Sequence, residues 1–211
     1  RTSFLSGRYA ETTGVLNNGV DPRLVLGEDY RFLPEYFHDH GYFTAGVGKI
    51  SHTPENIDSM EWDFHRDPQW QPEDFFSKVE NLKDTRALPD NEHPDGISTE
   101  LAVKFLEEER DQPLFLTVGL HRPHAPRAAP QKYWDMFDPD SLPLPKAGKI
   151  TPGIPEIAYP PKFEPDNAEG KIRATLHSYY ATTAFVDAQV GLLLDTLDRE
   201  NLWEDTIVVF F

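Results

Sequence analysis

Three short apolar runs, Tyr42 to Val47, Leu114 to Leu120 and Thr206 to Phe211, interrupt an otherwise polar chain. Each is rich in aromatic or β-branched residues and lacks polar–apolar alternation, the pattern of a strand covered on both faces. Helical spacing fills the intervals. Phe32, Leu33, Tyr36 and Phe37 recur at one helical turn, and Gly41 supplies a stop. Ile97, Leu101, Val103, Phe105 and Leu106 predict a second helix with Ser98 as its cap. The longest pattern runs through Ile172, Leu176, Tyr179, Thr183, Val186, Val190, Leu193 and Leu197. Its alternating steps of four and three place one packing stripe along a helix of about seven turns. Asn201 to Asp205 then reads as a short connection into the last strand. Strands alternating with helices predict an α/β fold with a parallel-sheet core sandwiched by helices.

Two stretches do not follow this alternation. Residues 51–95 are polar and aromatic, with Trp62 and Trp70, and residues 138–165 hold eight prolines. Proline fixes φ and removes a donor, so both are expected as long surface loops, of the length that in compact domains is usually functional. With 211 residues, the chain suits one sizeable domain with a real core. No apolar run approaches the length of a membrane span, and Arg1 to Tyr9 lacks the apolar centre of a signal peptide. Twenty basic against 36 acidic residues give a formal charge of −16, which argues against nucleic acid as a partner. The absence of cysteine excludes disulfides and thiolate metal sites from these residues.

In a parallel α/β sheet, ligands bind beyond the carboxyl ends of the strands. The first predicted strand is followed by Gly48-Lys49-Ile50-Ser51-His52, and the second by His121-Arg122-Pro123-His124. Two strand ends thus deliver two cations and three imidazoles to one rim, which suits an anionic oxygen substrate. Lysine acts there as a point charge, and histidine can donate to an oxygen or protonate a leaving group. His121 and His124 could also be read as a metal pair, but the proline between them argues against shared ligation. Taken singly, a histidine after a strand is more often a surface or capping residue.

Four segments, in order, resemble the sulfatase family. Arg1 to Arg8, RTSFLSGR, is similar to the later part of its signature, Cys-x-Pro-Ser-Arg, three residues, Leu-x-Gly-Arg, with Arg1, Leu5, Gly7 and Arg8 at the matching positions. Gly48 to His52 resembles the Gly-Lys-x-x-His segment, and His121 to Pro126 the His-Lys/Arg-Pro-His-x-Pro segment. The helix Tyr179 to Leu197 and the strand Thr206 to Phe211 resemble the elements that precede a metal-binding Asp-His-Gly. The two-residue spacing of Lys49 and His52, the His-Arg-Pro-His order and Ser98-Thr99-Glu100 resemble the iduronate-2-sulfatase-like group and its bacterial members.

The resemblance implies an alkaline-phosphatase-like fold, here the central part of the catalytic domain and incomplete at both ends. It implies sulfuric ester hydrolysis through formylglycine and calcium in the parent enzyme. The nucleophile and the metal ligands would lie outside these 211 residues, so the chain alone is expected to bind neither cofactor and to be inactive. By position, Arg1 would orient the formylglycine, and Lys49 and His121 would bind sulfate oxygens. His121 could protonate the leaving alkoxide, and His52 would hold the formylglycine hydroxyl. Arg122 and His124 are further candidates for the substrate pocket, whereas Gly7 and Arg8 read as structural. The implied partner is a sulfated small molecule or glycan, and the implied location periplasmic or secreted. Two other readings stay open at this point. One is a phosphodiesterase or phosphonate hydrolase of the same superfamily, and the other a non-catalytic binder of anionic glycans.

Overall fold

A computed structural model of the chain describes residues 1–52, 60–68, 84–145, 152–158 and 168–211. The chain opens with three short helices, α1 (Thr2–Ser6), α2 (Ala10–Thr13) and α3 (Pro22–Leu26), followed by α4 (Leu33–Asp39). Strand β1 (Phe43–Gly48) comes next, then β2 (Phe64–Arg66), α5 (Pro94–Glu107), β3 (Leu114–Gly119), α6 (Gln131–Trp134) and the long α7 (Ala168–Arg199). Among the described residues the sheet has three strands in the order β2-β1-β3. Both pairings are parallel, with Ala45 opposite Phe64 on one side and Leu116 on the other.

The parallel-sheet expectation therefore holds, and the pleat explains why β1 reads as a continuous apolar run. Thr44 to Gly48 are all buried because β1 is central and covered on both faces. Phe43 and Phe64 turn to one face and meet Phe105 of α5, at ring separations of 6.0 and 4.9 Å. Phe115 of β3 turns to the other face and stacks on Phe37 of α4 at 4.2 Å. Helix α7 packs behind α5.

The ends of the elements follow local chemistry. Asp21 caps α3, its carboxylate accepting from Arg23 N at 2.9 Å. Glu35 in the first turn of α4 accepts from Phe32 N at 2.8 Å and from Glu61 N at 3.1 Å, and it forms a buried ion pair with Arg23. One carboxylate thus ties α3, α4 and the approach to β2 around the apolar cluster of Leu5, Phe32, Ile50 and Met60. It is fully satisfied there, as a buried charge must be. Helix α5 starts earlier than expected. His93 precedes its first residue, Pro94, a favoured opening residue, and Ser98 instead donates to Pro94 O at 2.9 Å from inside the helix.

Two expectations need correction. Thr206 to Phe211 is not hydrogen-bonded into the sheet, and Ile207, Val209, Phe210 and Phe211 are exposed. An apolar β-branched run states a preference for burial, but a strand exists only where a neighbour accepts its backbone bonds. The long helix forms, yet its buried face is not the bulky stripe. Ala181, Thr182, Phe185, Gln189 and Thr196 are buried, whereas of the expected stripe Leu197 is buried, Tyr179 and Thr183 are exposed, and Ile172, Leu176, Val186, Val190 and Leu193 are only half-buried. Small residues let α7 approach α5 and α6 closely, and Gln189 is drawn inward by Asp90, to which its amide donates at 3.3 Å.

Within the stretch expected as a long loop, β2, single turns of 3-10 helix at Asp84–Ala87 and Asp90–Glu92 and the start of α5 are formed. Trp70, and residues 146–151 and 159–165 of the proline-rich stretch, lie outside the described residues.

Candidate active site

Because all three strands run parallel, their carboxyl ends share one edge, and the residues that follow them meet there. Lys49 follows β1, Asp67 follows β2, and His121 lies two residues beyond β3. The edge is drawn tight by glycine. Gly48 has φ +73° and sits against β3 so closely that a Cβ would lie 2.1 Å from Gly119 O. Lys49 N donates to that same carbonyl at 2.7 Å, which carries the β1–β3 ladder past the ends of the strands. Lys49 and the turn to His121 are therefore placed by backbone.

The turn after β3 is held from below. Asp95, buried in the first turn of α5, accepts from His121 N at 2.6 Å and from Arg122 N at 3.1 Å. One carboxylate thus fixes two successive amides. Imidazole His121 is itself buried, and its Nε2 donates to the Asp67 carboxylate, 3.2 and 3.3 Å from the two oxygens. Arg1 donates from its guanidinium to the carbonyl of Lys49, which brings the amino-terminal segment onto the rim.

The electrostatics confirm the grouping. Desolvation pulls the Lys49 ammonium below its ordinary pKa, Arg1 lowers it further, and Asp67 opposes both. Arg1 is likewise lowered by desolvation and supported by Asp67. His52 is lowered by desolvation and by the charges of Lys49, Arg1 and His124. Arg1, Lys49, His52, Asp67, His121 and His124 thus share one neighbourhood. It is rich in positive charge against a chain that is acidic overall.

Three other sequence candidates, Arg122, Gly7 and Arg8, are engaged elsewhere. Arg122 turns inward. It is 4% exposed and its Nε donates to Ala128 O at 3.2 Å. Burial lowers its pKa, and Asp95 works against that. Gly7 closes α1 in a left-handed conformation, φ +64°, and Arg8 lies over the Tyr30 ring at 5.2 Å. His124 stays exposed, its ring bonded to the neighbouring Ala125 carbonyl while its backbone N donates to His121 O at 3.0 Å.

Asp67 and Asp95 were not among the sequence candidates. For Asp95 a signal existed, an acidic residue one position after a proline that opens a helix. For Asp67 there was none, since β2 has three residues and two of them are polar. Among the described residues no group of three or more His, Asp and Glu side chains stands together to hold a metal ion. Asp67 and Asp95 are taken up by His121 and by backbone amides. These residues do not fit a calcium cage.

The parallel sheet flanked by helices, with a cation-rich edge beyond its strand ends, is an alkaline-phosphatase-like fold by its likeness to solved structures. A phosphonate monoester hydrolase from Silicibacter pomeroyi shares this fold, with a TM-score of 0.67 over 97% of this chain and 50% of that one, at 17% identity. The family model for sulfatases matches residues 1–211, and the chain belongs to the sulfatase family. It is 29% identical to iduronate 2-sulfatase from Homo sapiens, over all of this chain and 44% of that protein. It is 32% identical to an ulvan-active sulfatase from Formosa agariphila, over all of this chain and 39% of that protein. The chain thus spans less than half the length of these relatives. No helix among the described residues is long and apolar enough to cross a membrane.

Proposed function

We propose that this chain supplies the sulfate-gripping rim of a sulfuric ester hydrolase of the iduronate-2-sulfatase type. The observation that carries the reading is the convergence of Arg1, Lys49, His52 and His121 at one sheet edge, from segments far apart in sequence. Lys49 is partly desolvated and lies beside the Arg1 charge, so a bound anion would be attracted by both cations. Donors fixed before the reaction stabilise charge as it develops on sulfate oxygens without any reorganisation. Lys49 and His121 would bind those oxygens, Arg1 would orient the attacking group, and His121 would protonate the departing alkoxide. His52, whose pKa is lowered by desolvation and by the charges of Lys49, Arg1 and His124, would hold a hydroxyl on the attacking side. His124 stands at the outer lip of the same rim.

The names of the two relatives support a sulfated sugar, or another alkyl sulfate, as the substrate class. Formylglycine and calcium belong to this reading as properties of the family, as does a periplasmic or secreted location. The test uses the full-length protein. Lys49→Ala and His121→Ala should each lower kcat on a sulfate ester by about 10²–10³-fold, the usual cost of losing a preorganised donor, while the fold is retained. Wild-type turnover in both variants would remove the assigned roles. A panel of sulfate, phosphate and phosphonate monoesters, run alongside, measures the reaction preference directly.

A further inference from the structure

The carboxylate facing the rim cations is the feature that the family motifs leave unexplained. Asp67 comes from β2, 54 residues before His121, and reaches it only because β2 pairs with β1 in a register that sets Val47 opposite Arg66. It is 9% exposed and bonds to Nε2 of a ring that is itself 5% exposed. An anion placed among Arg1, Lys49 and His121 competes with an anionic substrate, so its presence needs a use.

The geometry supplies one. A carboxylate accepts and cannot donate, so the nitrogen that faces it must carry a proton. Asp67 therefore fixes Nε2–H and determines which nitrogen of His121 is left for the substrate. Among the described residues, Nδ1 of that ring has no hydrogen bond. The ring is held at two levels, its backbone by Asp95 and its imidazole by Asp67.

We propose that Asp67 is a positioning residue that locks the His121 ring so that Nδ1 is the atom presented to the ester oxygen of an alkyl or aryl sulfate. This rests on the reading of the rim as a sulfatase site. As an oxygen nucleophile attacks sulfur, the bond from sulfur to the alcohol oxygen breaks and its electron pair goes to that oxygen. The proton on Nδ1 of the doubly protonated ring joins it, giving the neutral alcohol. The ring is left neutral with its remaining proton on Nε2, still donated to Asp67. A general acid contributes about 10²–10⁴-fold only when it is aimed at the leaving atom. Asp67 touches no reacting atom and acts through His121.

The experiment compares wild type, Asp67→Ala and Asp67→Glu in the full-length protein, with two esters that differ in their need for an acid. Turnover of 4-methylphenyl sulfate, with its poor leaving group, should fall about 10²-fold in Asp67→Ala. The loss on 4-nitrophenyl sulfate, whose leaving group needs little protonation, should be at least about tenfold smaller. Asp67→Glu, which keeps the acceptor, should recover part of the difference. A general loosening of the site would lower both esters equally, and that result overturns the proposal.

A second measurement is independent of turnover. In alkaline buffer, where a histidine ring carries one proton, nitrogen-15 spectra of the His121 imidazole should report Nε2–H in wild type and a tautomer mixture in Asp67→Ala. An unchanged His121 signature overturns the proposal whether or not either ester is cleaved. A changed signature in a protein that cleaves neither ester supports the locked ring and counts against the sulfatase reading alone.

Discussion

His93 shows at the scale of one residue what burial does to a titrating group. Its ring is fully buried between Phe185, 5.3 Å away, and the Thr85 carbonyl, to which Nε2 donates at 3.0 Å. Desolvation pushes its pKa down to about 4; the Thr85 carbonyl opposes this, the Arg122 charge adds to it, and Asp90 opposes it. The folded pKa lies below the unfolded value near 6.5, so between the two the unfolded chain binds the extra proton. The contribution of His93 to stability is then fully present above about pH 6.5 and is lost as pH falls toward 4. The loss between pH 7 and pH 5 is about 2 kcal/mol. Urea titrations at the two pH values should show it, and His93→Gln should remove most of the difference. A wild-type and a variant slope that coincide would exclude the assignment.

In the neighbouring carboxylate burial is outweighed. Burial alone would raise the Asp90 pKa, but hydrogen bonds from Lys132, Tyr133 and Gln189 outweigh it and hold the group ionised. Burial, and after it the hydrogen bond to Asp90, raise the Tyr133 phenol. Asp90 is thereby the polar pin between α6 and α7, with Lys132 at 2.8 Å and Gln189 at 3.3 Å. That accounts for a glutamine at a buried helix position where periodicity alone would place an apolar side chain.

At the scale of elements, two glycines make opposite demands. Gly48 ends β1 with φ +73°, and a Cβ there would lie 2.1 Å from Gly119 O and 2.9 Å from Ser98 Oγ. Gly48→Ala combines left-handed strain with a backbone clash and should cost at least about 2 kcal/mol. Gly191 lies inside α7, where a Cβ would meet nothing within 4 Å. Gly191→Ala should stabilise by about 1 kcal/mol through helix propensity alone. Denaturant midpoints of the two variants should therefore move in opposite directions from wild type, and movement in the same direction would contradict the packing described for β1 and β3.

The elements also show what could be read from the chain before folding. Strand β1 was legible because burial on both faces leaves an uninterrupted apolar run, and β3 carries the same run although all six of its residues are only half-buried. Lys49, His52 and His121 followed from them, since parallel strands deliver their next residues to one edge. Residues 206–211 carry the same local signal and form no ladder, because pairing depends on a neighbour and not on composition. Helix α7 was legible in extent, but its buried face was not, since Ala181, Thr182 and Gln189 are selected by closeness and by Asp90 rather than by hydrophobicity. Asp67 was illegible for the most physical reason. A strand of three residues, Phe64-His65-Arg66, has no period to detect, and only its register against β1 brings the carboxylate to His121.

At the scale of the whole molecule two fields compete for an anionic ligand. The rim is cationic, with Arg1 and Lys49 side by side, while the chain carries a formal charge of −16. Screening separates them by range. At about 0.01 M salt the Debye length is about 30 Å, so the net negative charge repels an approaching anion over the width of the molecule. At about 0.1 M it is about 10 Å, and only the rim charges, partly desolvated and therefore less screened, are still felt. At higher salt the rim is screened in turn. The affinity of inorganic sulfate for the rim, read at the His52 and His121 imidazole signals as sodium chloride is added, should accordingly pass through a maximum near 0.1 M. Lys49→Ala should remove the maximum, because it takes away the short-range attraction and leaves the long-range repulsion. A steady fall in affinity from the lowest salt would mean that the rim governs approach at every distance and that the acidic surface of the chain lies too far from it to matter.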